Sequence, residues 1–200
     1  MLTALMFGMV CTVCAITVHE QPETLIKGPV ESGGFGGIVV KFTGLADQFA
    51  VLAGGRGGWI INHAFIIGGG GYGLVNEDIE ISPAPEGAGP DYVLELGYGG
   101  VELEYVHQSR NLVHFAAMVL IGGGTAGFRD PYWDTTIDSD AFFVAEPGLN
   151  VELNISRPIR IDFGASYRFV SGLDLPRTYG LGDEDLRGMA GALTFKFGSF

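Results

Sequence analysis

The chain is short of the residues from which soluble enzymes and helical membrane proteins are built. Only two cysteines occur in 200 residues, Cys11 and Cys14, and both fall in the first apolar stretch. Their C-x-x-C spacing elsewhere signals redox or metal chemistry. Inside a segment expected to be cleaved, they act as small hydrophobes, and the remaining chain is expected to form no disulfide. Charged residues make up 17% of the chain, against about 25% in a typical soluble domain. Basic residues are scarcest: 11 Lys and Arg face 23 Asp and Glu, for a net charge of −12. That excludes nucleic acid as a partner, since such a partner needs a basic face. It also disfavours simple electrostatic docking onto anionic head groups. Beyond the N-terminus no run of about 18 apolar residues exists, so no helical span is expected.

What the chain does contain is glycine, 33 residues of it, and 47% hydrophobic residues. Strict alternation reconciles so much apolar content with the lack of a helical span. In Ile159-Arg160-Ile161-Asp162-Phe163-Gly164-Ala165-Ser166-Tyr167-Arg168-Phe169 every odd position is apolar and every even one is polar or tiny. Successive side chains of a strand point to opposite faces, so one face suits lipid and the other a wet or packed interior. Eight such segments are expected, at 34–42, 49–61, 64–75, 92–106, 112–128, 141–155, 159–170 and 187–197. The connections at 62–63, 107–111 and 156–158 are short. Those at 76–91, 129–140 and 171–186 are long, and the first one, 43–48, is intermediate. Long and short therefore take turns, as in a transmembrane β-barrel with turns at one rim and loops at the other. The fold class read from this is all-β: an eight-stranded antiparallel transmembrane β-barrel with an up-and-down meander. Both termini are expected in the periplasm and the long loops outside the cell.

Residues 1–15 read as a signal peptide, with small residues Val13 and Ala15 placed for cleavage, although no Lys or Arg precedes Lys27. Residues 16–32 form a polar leader and 33–200 the barrel. Trp59, Tyr98, Tyr105 and Tyr167 are candidates for aromatic girdles at the membrane interfaces.

The segment Gly54-Gly55-Arg56-Gly57-Gly58-Trp59-Ile60-Ile61-Asn62-His63, running on to Tyr72-Gly73-Leu74, and the terminal aromatic Phe200 resemble small outer-membrane β-barrels of the OmpA-transmembrane-domain or OmpX kind. The resemblance covers the whole mature chain and lies in architecture. It implies a non-enzymatic outer-membrane protein. The alternating apolar set ends at Phe197, and Gly198-Ser199-Phe200 follows out of phase. His107-Gln108-Ser109 is similar to the His-x-Ser of lipid A deacylases over two residues only, and loop parity puts it at the periplasmic rim.

Eleven charged side chains are expected to face the lumen: Lys41, Arg56, Glu95, Glu102, Glu104, Glu146, Glu152, Arg160, Asp162, Arg168 and Lys196. Glu95 has the opposite parity to Glu102 and Glu104, so its inclusion requires a bulge at Gly99-Gly100. His114 is expected as a satisfied lumen residue. An eight-stranded barrel is only wide enough for its own side chains, and charges held there must pair. The expected result is an ion-paired plug; a narrow conducting path is the alternative. The glycine clusters lack the Lys-Ser/Thr pair and the following helix of a phosphate-binding loop, so no cofactor is expected. More than half of the acidic residues fall in the long loops. Asp134, Asp138, Asp140, Asp183, Glu184 and Asp185 could offer oxygen ligands to a cation, but no EF-hand spacing supports a metal, and a solvated acidic face is expected. Tyr132 and Trp133 would suit an extracellular protein or glycan. The expected partners are outer-membrane lipid and such a surface contact, with the protein itself a monomer.

Overall fold

The computed structural model describes residues 29–76, 79, 93–130, 135–175 and 181–200. Eight strands close into one antiparallel barrel in sequence order: β1 (Ser32–Leu45), β2 (Gln48–Ile61), β3 (Phe65–Leu74), β4 (Val93–His107), β5 (Val113–Asp130), β6 (Thr135–Ser156), β7 (Ile159–Ser171) and β8 (Gly188–Ser199). Closure comes from β1 pairing with β8, with Gly34 opposite Ser199 and Thr43 opposite Ala190. No free sheet edge remains, so every strand meets the hydrogen-bonding demand that hydrocarbon imposes. Among the described residues no helix is long and apolar enough to cross a membrane.

The alternation seen in the sequence sorts side chains as expected on β6, β7 and β8. Phe143, Leu149, Phe163, Phe169, Met189, Phe195 and Phe197 point outward and are exposed, while Glu146, Glu152, Asp162, Arg168 and Lys196 point inward and are buried. The outer wall carries aromatics toward both rims. Trp59, Phe65 and Tyr105 lie near the short-turn rim, with Phe65 and Tyr105 rings 5.2 Å apart. Tyr167 and Phe169 lie near the other rim, 4.6 Å apart.

Three sequence expectations need correction. The first connection is a two-residue hairpin, Ala46-Asp47, with φ of 47° and 59°. These left-handed values fit the twist of a tight hairpin, and they extend β1 and β2 into the stretch expected to be a loop. Secondly, β4 carries no bulge: its register with β5 runs unbroken from Val93 opposite Arg129 to His107 opposite Phe115. Thirdly, β5 and β6 continue into the expected 129–140 loop, to Asp130 and from Thr135, with one irregularity at Phe128/Arg129. Asp138 and Asp140 therefore lie on a strand.

The last connection is built up rather than open. Asp174 bridges Gly182, and a one-turn helix, α1 (Asp183–Leu186), follows. Leu173, Leu175, Leu181 and Leu186 are buried, in one cluster with Leu45, Leu52, Leu94, Phe128, Phe142 and Val170. This connection thus folds into the barrel mouth and fills it with apolar side chains.

Candidate functional site

The lumen is the candidate site, and its contents follow from strand parity. Even-numbered inward positions on β2, β4, β5, β6, β7 and β8 and odd-numbered ones on β1 converge on one axis. At the short-turn rim the lining begins with a small apolar base of Phe35, Ile60, Ile66, Val106 and Ala116, against which Phe200 packs. Phe200 has left the strand alternation and lies with its ring centroid 6.2 Å from that of Phe35.

Above the base is a dense ionic cluster. Lys196 Nζ lies 3.0 Å from Glu104, 2.6 Å from Glu152 and 2.7 Å from Asp162. Arg56 reaches Glu102 at 2.6 Å and Glu104 at 2.5 Å. Arg160 Nη1 approaches Glu152 at 3.4 Å. His114 donates toward Glu152 from Nε2, at 3.0 Å, and its Nδ1 faces the Asn111 carbonyl at 3.1 Å. Both ring nitrogens face oxygen acceptors. Three cations, Lys196, Arg56 and Arg160, thus meet four carboxylates at close range, with His114 beside Glu152, and this pairing is how a buried group of this size can be tolerated.

A second, smaller group follows. Lys41 Nζ pairs with Glu146 at 2.8 Å and sits 3.5 Å from the Tyr72 ring centroid. Tyr98 and Ser166 both donate to Glu146, at 2.7 and 2.5 Å, and Tyr72 donates to Glu102 at 2.6 Å. The two tyrosines thereby tie the groups together. They have room because the neighbouring wall is bare. A Cβ on Gly70 would strike the Glu102 carboxylate and the Tyr72 hydroxyl, and one on Gly124 would strike Tyr98 and Phe142.

Arg168 marks the upper limit of the polar section. It is fully buried, donates from Nε to the Leu186 carbonyl of α1 at 2.7 Å, and reaches Thr43 Oγ1 at 3.4 Å. Its Nη1 has no partner among the described residues. Arg187 fastens the same connection from outside, donating to the Val170 carbonyl at 2.9 Å.

Of the eleven side chains expected in the lumen, Lys41, Arg56, Glu102, Glu104, Glu146, Glu152, Arg160, Asp162, Arg168 and Lys196 are inward and buried. Glu95 is the exception. Without a bulge it points outward, half-exposed, and pairs with Arg129 at 3.0 Å. The inward places on that stretch belong to Leu94, Leu96 and Tyr98. Tyr98 is accordingly a lumen residue and not part of a girdle. Arg168 also departs from expectation: among the described residues it meets a carbonyl, a hydroxyl and the face of the Tyr98 ring, and no carboxylate. Tyr72, Ser166 and Thr43 are lumen hydrogen-bonding residues that sequence reasoning missed. Their only signal was inward parity.

The loop candidates divide. Tyr132, Trp133 and Asp134 lie outside the described residues. Asp140 accepts from the Ala141 and Asp174 backbone N–H groups, at 2.8 and 2.6 Å, and so ties β6 to the last connection. Asp183 accepts from the Leu173 N–H at 2.9 Å and contacts Arg187 at 3.3 Å, and Asp185 accepts from the Gly182 N–H at 2.8 Å. These carboxylates shape the connection, so among the described residues the solvated acidic face expected there is reduced to Asp138 and Glu184. Among the described residues no group of three or more His, Cys, Asp or Glu is arranged to hold a metal ion. The His107-Gln108-Ser109 segment ends β4 and begins a turn; the backbone carbonyl of Ser109 accepts from Asn154 at 3.0 Å and Arg160 at 3.4 Å.

No protein-family model and no curated protein sequence matches the chain. Solved structures do. Neisserial surface protein A (NspA) is similar over 86% of this chain and 99% of its own, with a TM-score of 0.60 at 10% identity. The N-terminal β-barrel domain of Pseudomonas aeruginosa OprF is similar over 82% of this chain and 96% of its own, with a TM-score of 0.52 at 10% identity. At that identity the likeness concerns the fold, which is the eight-stranded antiparallel barrel of small outer-membrane proteins, OmpA-like in its meander.

Proposed function

We propose that this chain is a closed outer-membrane barrel with a structural or surface-interaction role, and that it neither catalyses a reaction nor conducts solutes. The observation that carries the reading is the filling of the lumen in two different ways. Its middle is meshed by ion pairs, from Lys196 and Arg56 up to Lys41. Its long-connection end is packed with apolar side chains, those of the last connection among them. Water and ions would need to break both. The exposed apolar wall, with Ile38, Ile67, Leu149 and Phe195 pointing out, supports a lipid surrounding, since a soluble monomer rarely exposes so large a contiguous apolar area. Activity at the surface would then fall to the long connections, with a protein or glycan as partner. In this reading residues 1–15 are removed on export, 16–32 form a leader, both termini face the periplasm and the long connections face outward.

Two linked experiments test it. The protein should fractionate with outer membranes, resist carbonate extraction, and migrate differently on SDS gels before and after boiling. On intact cells, tags in the 76–92 or 176–180 connections should be accessible and tags at Asn62-His63 or Arg157-Pro158 should be silent. Recovery in the soluble periplasm, or labelling at the short turns, would overturn the reading.

A further inference from the structure

The charge of −12 is unevenly placed, and the short-turn rim is its basic exception. Here a pocket of about 580 Å³ opens at the mouth, formed by the β2–β3, β4–β5 and β6–β7 turns and the residues that end β8. Arg110, Arg157 and Arg160 all line it, together with His63. Among the described residues two carboxylates touch this group: Glu31 contacts His63 at 2.5 Å and Arg110 at the looser distance of 3.8 Å, and Glu152 lies 3.4 Å from Arg160. Arg110 keeps 82% of its side chain exposed, and Arg157 is exposed with no ion pair among the described residues.

Arg160 supplies the second, independent observation. Its side chain is 92% covered, yet its donors are poorly used. Its two hydrogen bonds, to Glu152 and to the Ser109 carbonyl, are both 3.4 Å long, and its Nε has no partner among the described residues. The Phe200 ring, 4.0 Å from its Cζ, holds the guanidinium at the pocket floor. A guanidinium has five N–H donors in a planar fork suited to oxyanions. An anchored fork with unmet donors, flanked by two exposed arginines on separate turns, is the arrangement a multivalent oxyanion requires.

From this geometry we infer that the short-turn mouth is a binding site for a phosphate-class anion, with Arg160 as its fixed floor and Arg110 and Arg157 closing over the ligand. The anion is either a free phosphate compound or the head group of an anionic phospholipid reaching over the rim.

Pyrophosphate is the probe. The full chain, refolded in phosphatidylcholine nanodiscs, is titrated with it by calorimetry at low salt. Saturable one-to-one binding is expected, weakening about tenfold in the Arg110→Gln/Arg157→Gln double variant. Both residues are exposed on turns, so the variant should fold; an unchanged difference between boiled and unboiled mobility on gels checks that. The Arg129→Gln variant, at the opposite rim, should bind as the unmodified protein does. Repeating the titration in phosphatidylglycerol discs separates the sources. Loss of pyrophosphate binding there identifies the lipid head group as the occupant, and unchanged binding identifies a free phosphate compound. Absence of saturable binding, or equal binding by the double variant, would overturn the inference.

Discussion

Replacing Lys196 with methionine tests most sharply whether the lumen is held by its charges. The ammonium is surrounded by Glu104, Glu152 and Asp162 at 2.6–3.0 Å, with 1% of its side chain exposed. Methionine fills most of the stem volume, so the change removes charge without opening a large cavity. Arg56 would remain beside Glu104 and Arg160 beside Glu152, and Asp162, whose close cation among the described residues is Lys196, would be left buried without one. Removing one member of a buried pair costs about 3–5 kcal/mol. The outward pair Glu95–Arg129, half-exposed, is the natural control, and Arg129→Ala should cost no more than about 1 kcal/mol. Urea unfolding of refolded barrels in lipid vesicles, followed by tryptophan fluorescence, would measure both. Because the penalty is attributed to an unmatched carboxylate, Lys196→Met combined with Asp162→Asn should recover part of it, with a coupling on the order of 1–3 kcal/mol. If Lys196→Met costs no more than Arg129→Ala, or if the second substitution recovers nothing, the ionic cluster is not what stabilises the lumen.

Other outcomes follow from the same geometry. Gly124→Val should destabilise the barrel by about 1–3 kcal/mol or more, because its side chain would run into Tyr98 and Phe142 in a packed lumen. Gly36→Ala, where a Cβ meets nothing within 4 Å, should change the urea midpoint little. Arg168→Met should loosen the last connection, whose Leu186 carbonyl it holds, and protease sensitivity within 172–187 should rise while the barrel itself stays folded. Tyr98→Phe removes one donor to Glu146 and should cost about 1–3 kcal/mol, the range for leaving a buried acceptor short of a partner.

The reading of the sequence succeeded where the two faces of a strand differ chemically and failed where they do not. On β7 and β8 outward-facing Phe163, Phe169 and Phe195 alternate with Asp162, Arg168 and Lys196, so parity alone assigns each side chain. Toward the long-connection rim the lumen is itself apolar. Leu94, Leu96, Phe128, Phe142 and Val144 face inward there, and hydrophobicity no longer tells inside from outside. Glu95 was assigned to the lumen for that reason, and a bulge was invoked to carry it there. The glycines on β4 permit a bulge but do not require one. The hairpin at Ala46-Asp47 was hidden because it lacks the Asn-Gly or Asp-Gly signal of such turns. Asp183 and Asp185 looked like solvated charge, since backbone N–H groups three to eleven residues away are not visible as partners in a sequence.

The central claim is that the lumen is closed, and single-channel recording on refolded protein in planar bilayers tests it most directly. The unmodified barrel should give no steady conductance above the bare membrane, because the ionic mesh and the apolar mouth lie in series. The double variant Arg168→Met/Lys196→Met, which weakens both, should show frequent openings. A large, steady conductance in the unmodified protein would contradict the account and establish the chain as a pore.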